Sequence, residues 1–268
     1  MNVKVGIAGF GAIGKPVAAA LHRGIKGLEL TAICSRDRKK AKRNMASYCD
    51  PVPVVGAQEL ADLCDVIVEC VPKIAFPEIA EPALKAGRTF ITVSGAGLLI
   101  HKEMVDIAEE NGAQIILATG ALLGLDAVRA AAEGEIYEVT MITRKPPYSL
   151  TGAPYLENHD ISIKNLEEPL KVFEGTAREG AAGFPANVNV AAALGLAGIG
   201  VDRTKLQIWA DPSLDRNTHF IEVEADSARF SFSIENVPSE ENPGTGKITA
   251  LSVIATLRGL TTPFRVGT

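Results

Sequence analysis

The stretch that decides the fold is residues 3–14, which read VKVGIAGFGAIG. Its first half is a short apolar run of the kind that forms a buried strand. Its second half carries three glycines in the spacing G-x-G-x-x-G, and a helical pattern follows. This order is typical of the turn between the first strand and the first helix of a dinucleotide-binding unit. Residues 3–14 therefore predict such a unit.

Each glycine of this motif has its own predicted task. Gly9 makes the tight turn, Gly11 lets the backbone approach the pyrophosphate, and Gly14 lets the helix pack on the strand. The helix N-terminus then presents N–H groups and a positive dipole end to the diphosphate. A glycine-rich turn without a ligand is the alternative interpretation. The residues predicted to contact the dinucleotide here are Gly9, Phe10, Gly11, Ala12, Ile13 and Gly14.

The first 120 residues alternate short apolar runs with helical patterns. Such alternation predicts right-handed crossovers and a parallel sheet covered on both faces, and near-continuous Val and Ile runs fit strands buried on both sides. The fold class predicted is α/β, with an N-terminal Rossmann-type doubly wound parallel sheet. The predicted strands are residues 3–8, 28–34, 66–71, 89–94 and 115–118, and the predicted helices are residues 13–23, 38–47, 75–86 and 102–111.

The pattern changes after residue 125. Alternating apolar and polar runs there favour a second α+β domain with a largely antiparallel sheet. The predicted helices are residues 125–132, 185–198 and 248–258, the predicted strands are 137–143, 206–209, 219–224 and 229–234, and 146–166 are predicted as a long loop. The predicted dinucleotide-binding domain is residues 1–122 with a returning C-terminal helix in 243–268, and residues 123–242 form the predicted catalytic and dimerisation domain.

Composition limits the classes of partner. A formal net charge of −5 disfavours nucleic acid, since phosphate binding requires a basic face. No apolar run is long enough to span a bilayer, and the N-terminus lacks a secretory profile, so the expected location is cytoplasmic. The four cysteines show no C-x-x-C spacing, and we expect reduced, mostly buried thiols and no metal site.

The residues after the second predicted strand address the choice of cofactor. An acid at this point binds the ribose hydroxyl of NAD, whereas an Arg nearby accommodates the phosphate of NADP. Here Ser35 stands in place of the acid, and Arg36 and Asp37 follow. We predict that NADP is accepted together with NAD; an Arg36 that is simply exposed to solvent is the alternative. Cys70 and Val71, at a later strand end, are further predicted cofactor contacts.

Four later segments carry a family resemblance. In chain order they resemble segments of the L-aspartate dehydrogenase family. The chain departs from the family pattern at Leu122-Leu123, where Ile-Gly is expected, and at Gly246, where Ser is expected. The segments are ATGALLGLD (118–126), FPANVNVA (184–191), DP (211–212) followed by NTH (217–219), and ENP (241–243) followed by Thr245 and TALS (249–252).

The resemblance implies oxidative deamination of L-aspartate through an imine to oxaloacetate and ammonia, with reduction of NAD or NADP. It also implies a link to pyridine nucleotide biosynthesis. By position in the motifs, His219 is the implied catalytic residue, and Ala121 and Asn187 are implied cofactor contacts.

The chemistry of amine oxidation supports a histidine. A base must take a proton from the ammonium and later activate the water that hydrolyses the imine, and the pKa of histidine suits both tasks. His219 follows a turn and opens an apolar strand. On local sequence alone the favoured interpretation is an ordinary strand histidine at a sheet edge. The family resemblance instead favours a catalytic role for His219.

A dicarboxylate substrate also needs partners for its anions. The start of the last predicted helix, at Thr245 and Gly246, is predicted to offer N–H groups to one carboxylate. Lys247 or Arg144 is predicted to pair with the other, and Asn187 and Asn217 to orient it. A simple N-cap and solvated cations are the alternatives at these positions.

Other functions on the same architecture stay open. An imine reductase or a homoserine-type dehydrogenase would be favoured by a lysine pair in the catalytic strand, and His219 argues against both. A sensor that binds NAD(P) without turnover is an alternative of a different class. A homodimer is expected, formed through the open sheet of the second half and the Ala- and Gly-rich helix in 188–198.

Overall fold

The computed structural model describes residues 2–185, 189–242 and 244–267. The chain divides into two compact units. Unit 1 comprises Met1–Ala118 and Thr249–Arg265, and unit 2 comprises Thr119–Ile248 and Val266–Thr268. The roles that the sequence assigns to the two halves stay predictions. Within the described ranges, no helix combines the length and apolarity needed to cross a lipid bilayer.

Unit 1 contains a six-stranded sheet in which every pair of neighbours is parallel. The strand order is β3-β2-β1-β4-β5-β6, which confirms the predicted doubly wound fold. The order reverses between β1 and β4, and open α/β sheets bind their ligands at the carboxyl ends of the strands flanking such a reversal. The strands are β1 (Val3–Ala8), β2 (Leu28–Cys34), β3 (Val54–Val55), β4 (Val66–Glu69), β5 (Thr89–Thr92) and β6 (Gln114–Leu117).

Helices cover this sheet on both faces. Val5 and Ile7 of β1 lie in one apolar cluster, whereas Ala8 lies in a second, because successive side chains of a strand point to opposite faces. The first cluster also contains Val253 and Leu257 of the C-terminal helix. The helices are α1 (Gly14–Arg23), α2 (Arg38–Met45), α3 (Ala57–Leu63), α4 (Phe76–Lys85), α5 (Gly95–Ile100), α6 (Glu103–Glu110) and the C-terminal α11 (Lys247–Thr261).

Unit 2 contains a five-stranded mixed sheet of order β11-β10-β7-β9-β8. The pair β7 and β9 is parallel, and the other three pairs are antiparallel. Along β10, Ile221 and Val223 are buried while Phe220 and Glu222 are exposed, so the sheet has a packed face and an open face. The strands are β7 (Ile136–Lys145), β8 (Leu170–Thr176), β9 (Lys205–Ala210), β10 (Thr218–Ala225) and β11 (Arg229–Glu235), and the helices are α7 (Leu125–Ala132), α8 (Pro154–Asn158), α9 (Ala177–Gly183) and α10 (Asn189–Ala197).

Several elements differ from the prediction. The segment predicted as a loop at 146–166 contains the short helix α8, which opens with Pro at its first position. No element was predicted at β8 or α9. The start of α9 carries a capping box, in which Thr176 and Glu179 satisfy each other's backbone N–H groups. That T-x-x-E spacing is the sequence signal that marks this helix.

The cysteines also differ in part from the expectation. Cys64 is buried, Cys34 and Cys70 are half-buried, and Cys49 is exposed. All four are free thiols. The prediction of mostly buried cysteines is therefore wrong for Cys49.

Candidate active site

The glycine loop of unit 1 is held by steric contacts at two of its three glycines. Gly9 has φ +95, and a Cβ added there would lie 2.5 Å from the carbonyl oxygen of Cys70. A Cβ at Gly14 would lie 1.9 Å from the carbonyl oxygen of Gly9. At Gly11, no described atom lies within 4 Å of an added Cβ. Packing therefore requires glycine at two positions, and the third leaves open space at the carboxyl end of β1.

The start of α1 fits a diphosphate beside this space. In the described chain its first turn carries no acidic residue, and its N-cap, Ile13, makes no side-chain capping bond. The first N–H groups of a helix have no intrahelical partner, and with the helix dipole they bind anions. Ala12 and Ile13 are half-buried, whereas Phe10 is part of the core. The ring of Phe10 therefore packs in the core of unit 1.

The end of β4 carries a buried acid that the sequence analysis did not identify. Glu69 accepts hydrogen bonds from the backbone N of Val71 at 2.7 Å, from Thr92 Oγ1 at 2.5 Å and from Ser94 Oγ at 3.2 Å. Burial raises the pKa of Glu69, and these three donors partly offset the rise. The Glu69 carboxyl thereby joins the carboxyl ends of β4 and β5. An acid at the end of an otherwise apolar strand is the signal that marks it.

The predicted contacts at Cys70 and Val71 are limited by these bonds. The N–H of Cys70 donates to the carbonyl of Ala8, and the N–H of Val71 donates to Glu69. Neither amide hydrogen is therefore free for a cofactor. The carbonyl of Cys70 packs against Gly9.

The three residues after β2 have distinct environments. The N–H of Gly9 donates to the carbonyl of Cys34 at 2.8 Å, which places this strand end beside the glycine loop. Asp37 caps α2 by accepting from the backbone N of Lys40 at 2.9 Å. Ser35 is half-buried and Arg36 is exposed. The only acid among the three is thus used as a helix cap, and Arg36 is an exposed cation two residues after the strand end that adjoins the loop.

His219 in unit 2 is buried on the packed face of the sheet, with 3% of its surface exposed. It is the second residue of β10 and lies directly opposite Thr143 of β7. Its Nδ1 is 3.1 Å from Thr143 Oγ1. When Nδ1 donates to this hydroxyl, Nε2 carries the lone pair. Burial and the charge of Lys145 lower the pKa of His219 to about 3, so its imidazole is neutral at neutral pH.

Lys145, the last residue of β7, lies on the same packed face as Thr143, two residues away. Its surface is 4% exposed, and burial lowers the pKa of its ammonium to about 8. Lys145 was not among the predicted site residues, because the strand was predicted to end at Thr143. The sequence nevertheless indicated its position, because every second residue of a strand lies on the same face, and Val139, Met141, Thr143 and Lys145 are spaced in this way. Arg144 lies on the opposite face of the strand. Its guanidinium lies 3.3 Å from the carboxylate of Asp211 and stacks on the ring of Trp209.

Two asparagines adjoin this end of the sheet. Asn236, which follows β11, donates from Nδ2 to the carbonyl of Ala121 at 3.1 Å and from its backbone N to the carbonyl of Asn217 at 2.9 Å. The side-chain oxygens of Asn236 and Asn217 are buried and make no hydrogen bond to the described residues. Such oxygens can accept a hydrogen bond from a ligand. A Cβ at Gly246 would lie 2.6 Å from Asn236 Oδ1, so a serine there would require the Asn236 amide to shift.

Two other predicted substrate residues have local partners. Thr245 Oγ1 accepts from Asn242 Nδ2 at 3.1 Å within a turn. Lys247 is exposed, and its ammonium lies 3.2 Å from Glu240. The structure therefore brings His219, Thr143 and Lys145 together but pairs Lys247 with a surface acid. Asn187, a predicted cofactor contact, lies outside the described residues.

Comparison with known proteins gives two matching family models. The model described as aspartate dehydrogenase, C-terminal, matches residues 126–260, which include His219 and Lys145. The model described as homoserine dehydrogenase, NAD binding domain, matches residues 9–118, which include the glycine loop. Unit 1 is therefore an NAD(P)-binding domain.

Full-length relatives and solved structures agree with these models. The chain is 54% identical over 267 residues to an L-aspartate dehydrogenase of Bradyrhizobium diazoefficiens, covering 100% of this chain and 95% of the relative. It is 40% identical to one of Methanosarcina acetivorans, covering 99% of this chain and 100% of the relative. An aspartate dehydrogenase structure from Thermotoga maritima has the same fold, with a TM-score of 0.75, 24% identity and 100% of both chains covered. The chain belongs to the L-aspartate dehydrogenase family.

Proposed function

We propose that this protein catalyses the NAD(P)-dependent oxidation of L-aspartate to iminosuccinate, which water converts to oxaloacetate and ammonia. The observation that carries the proposal is the buried set of His219, Thr143 and Lys145, which lies in the segment matched by the aspartate dehydrogenase model. The full-length relatives with that name support the choice of substrate.

The residues of unit 2 supply the proton transfers. Neutral His219 takes a proton from the substrate ammonium at Nε2, while the Thr143 hydroxyl fixes the orientation of the ring. After that proton has passed to solvent, the same nitrogen takes a proton from the water that attacks the imine carbon, and the amino group then leaves as ammonia. When bound, the nicotinamide accepts the hydride that leaves Cα. In unit 1, the glycine loop and the start of α1 would hold its diphosphate.

The test of this function is NAD(P)H formation at alkaline pH with a panel of L-amino acids. We expect turnover with L-aspartate that exceeds turnover with the other amino acids. Turnover with L-homoserine or a cyclic amine instead would indicate that the protein is one of the alternative dehydrogenases with this fold. Cofactor binding without any turnover would support a sensor.

The choice of cofactor is proposed to include both NADP and NAD. Because Asp37 caps α2 and Arg36 is exposed beside the loop, Arg36 is the group assigned to the 2′-phosphate. We expect Arg36→Ala to raise the KM for NADP about 10-fold to 100-fold, the range of one lost charge-assisted hydrogen bond. The KM for NAD should change by less than about threefold, since NAD lacks that phosphate.

Steady-state kinetics with both cofactors measure this effect, and Lys39→Ala, an exposed neighbouring cation, is the matched control. A preference for NAD that persists unchanged in Arg36→Ala would contradict the assignment.

A homodimer is proposed to form through the open face of the unit 2 sheet. Phe220 and Ile142 are paired across neighbouring strands on that face, and Phe220 is 38% exposed. The helix α10, which the sequence also suggested, is largely buried within its own unit. The molar mass in solution, compared between the wild type and Phe220→Lys, tests this interface. A wild-type monomer would contradict it.

The cytoplasm is proposed as the cellular location, and pyridine nucleotide biosynthesis as the pathway that uses iminosuccinate. Cell fractionation tests the first of these proposals. Conversion of the freshly formed imine by a coupled quinolinate-forming enzyme tests the second.

A further inference from the structure

We propose that Lys145 binds a carboxylate of the substrate next to the base His219. The inference deepens the proposed function and rests on it, because it requires an anionic amino acid in this site. It concerns a residue to which neither the sequence motifs nor the family resemblance gave a role.

Strand geometry places Lys145 beside His219 on the packed face of the sheet. Thr143 and His219 are directly opposite in the register of β7 and β10. Lys145 is two residues beyond Thr143 on the same face, so it is a diagonal neighbour of His219, a relation that separates Cα atoms by roughly 7–8 Å. Side chains of this length converge over such a distance. In aspartate the amino nitrogen is two bonds from one carboxylate carbon and three from the other, which matches a base and a cation placed side by side.

Lys145 differs from the other cations of the chain in its burial. Among the described residues, it is the only lysine or arginine that is buried. A cation that meets an anionic substrate away from water interacts with it more strongly than an exposed cation does. The ammonium of Lys145 is therefore placed where a substrate carboxylate would bind it tightly.

The charges of the site support the same assignment. Burial is the larger cause that lowers the pKa of His219, and the charge of Lys145 is the smaller. A carboxylate bound to Lys145 would offset that charge and raise the pKa of the imidazole, while the effect of burial would remain. One group of the substrate would thus both anchor it and make His219 a stronger base.

The test compares Lys145→Met, Lys145→Arg and the control Lys205→Met. Methionine keeps the length of the chain without the charge, and Lys205 is an exposed lysine of β9. We expect Lys145→Met to raise both the KM for L-aspartate and the inhibition constant of succinate by about 10-fold to 100-fold. Lys145→Arg should recover part of this loss, and Lys205→Met should change neither constant by more than about twofold. The dissociation constant of NADPH, measured by fluorescence, should be unchanged in all three variants.

Two results would overturn the proposal. One is a folded Lys145→Met protein, verified by urea denaturation, whose KM and succinate inhibition constant equal those of the wild type. The other is a loss of kcat with both constants unchanged, which would assign Lys145 to proton transfer instead of binding.

The failure of the proposed function is distinguishable from both results. If the wild type does not oxidise aspartate, calorimetric titration with succinate still decides the role of Lys145. Binding that weakens in Lys145→Met supports the anion site. Binding of equal strength, or none in the wild type, overturns it.

Discussion

Replacement of His219 by alanine is expected to lower kcat for aspartate oxidation by about 10²-fold to 10⁴-fold, the usual contribution of a general base. The reason is local, because the imidazole is buried, neutral at neutral pH and oriented by Thr143. Pre-steady-state and steady-state formation of NAD(P)H measure the effect. The dissociation constant of NADPH should change by less than about threefold, since the glycine loop is assigned the diphosphate and His219 is assigned a proton of the substrate.

Two variants separate catalysis from structure at this position. Thr143→Val removes the hydroxyl partner while keeping the shape, and we expect a smaller loss of kcat, about 10-fold, from the less constrained ring. His159→Ala removes an exposed histidine and should leave kcat within about twofold, since surface substitutions have small effects. If His219→Ala retained kcat within about threefold of the wild type, general-base catalysis by this residue would be excluded.

The fold of unit 1 could be predicted because its signals are local. The glycine spacing and the apolar strands each lie within a few consecutive residues, and a sheet buried on both faces leaves its Val and Ile pattern uninterrupted. The two-residue strand β3 and the six-residue helix α5 were missed, because elements this short carry little periodicity.

The candidate site was predicted less completely because its contacts join distant parts of the chain. His219 meets Thr143 across 76 residues of sequence, and Asn236 meets Ala121 across 115. Neither pairing follows from local propensity. Strand register decides the first, and the second joins the residue after β11 to the loop between β6 and α7. His219 was identified through the family resemblance, whereas Lys145 required the full length of β7. If the predicted strand had been extended by two residues, its alternation would have placed Lys145 on the packed face.

Alanine substitutions at Gly14 and Gly11 are expected to affect different properties of the protein. Gly14→Ala should affect its stability, and Gly11→Ala should affect its binding of the cofactor. At Gly14 the new Cβ would meet the carbonyl oxygen of Gly9, a backbone atom that cannot move aside without reshaping the loop. We expect Gly14→Ala to lower the free energy of unfolding by about 3 kcal/mol or more. At Gly11 the Cβ meets no described atom, and its φ is not in the left-handed region. The stability of Gly11→Ala should therefore be unchanged or raised by about 0.4–1 kcal/mol.

The effect at Gly11 should instead be on the cofactor. If the space beside Gly11 receives the pyrophosphate, the added methyl group should raise the dissociation constants of NADH and NADPH together, by about 10-fold to 100-fold, or about 1.4–2.7 kcal/mol. Gly259→Ala is the matched control, because that glycine lies within α11 and also has no described atom within 4 Å of an added Cβ. It should stabilise the helix without changing cofactor binding. A Gly11→Ala protein that binds both dinucleotides as tightly as the wild type would contradict the assignment of the pyrophosphate to the space beside Gly11.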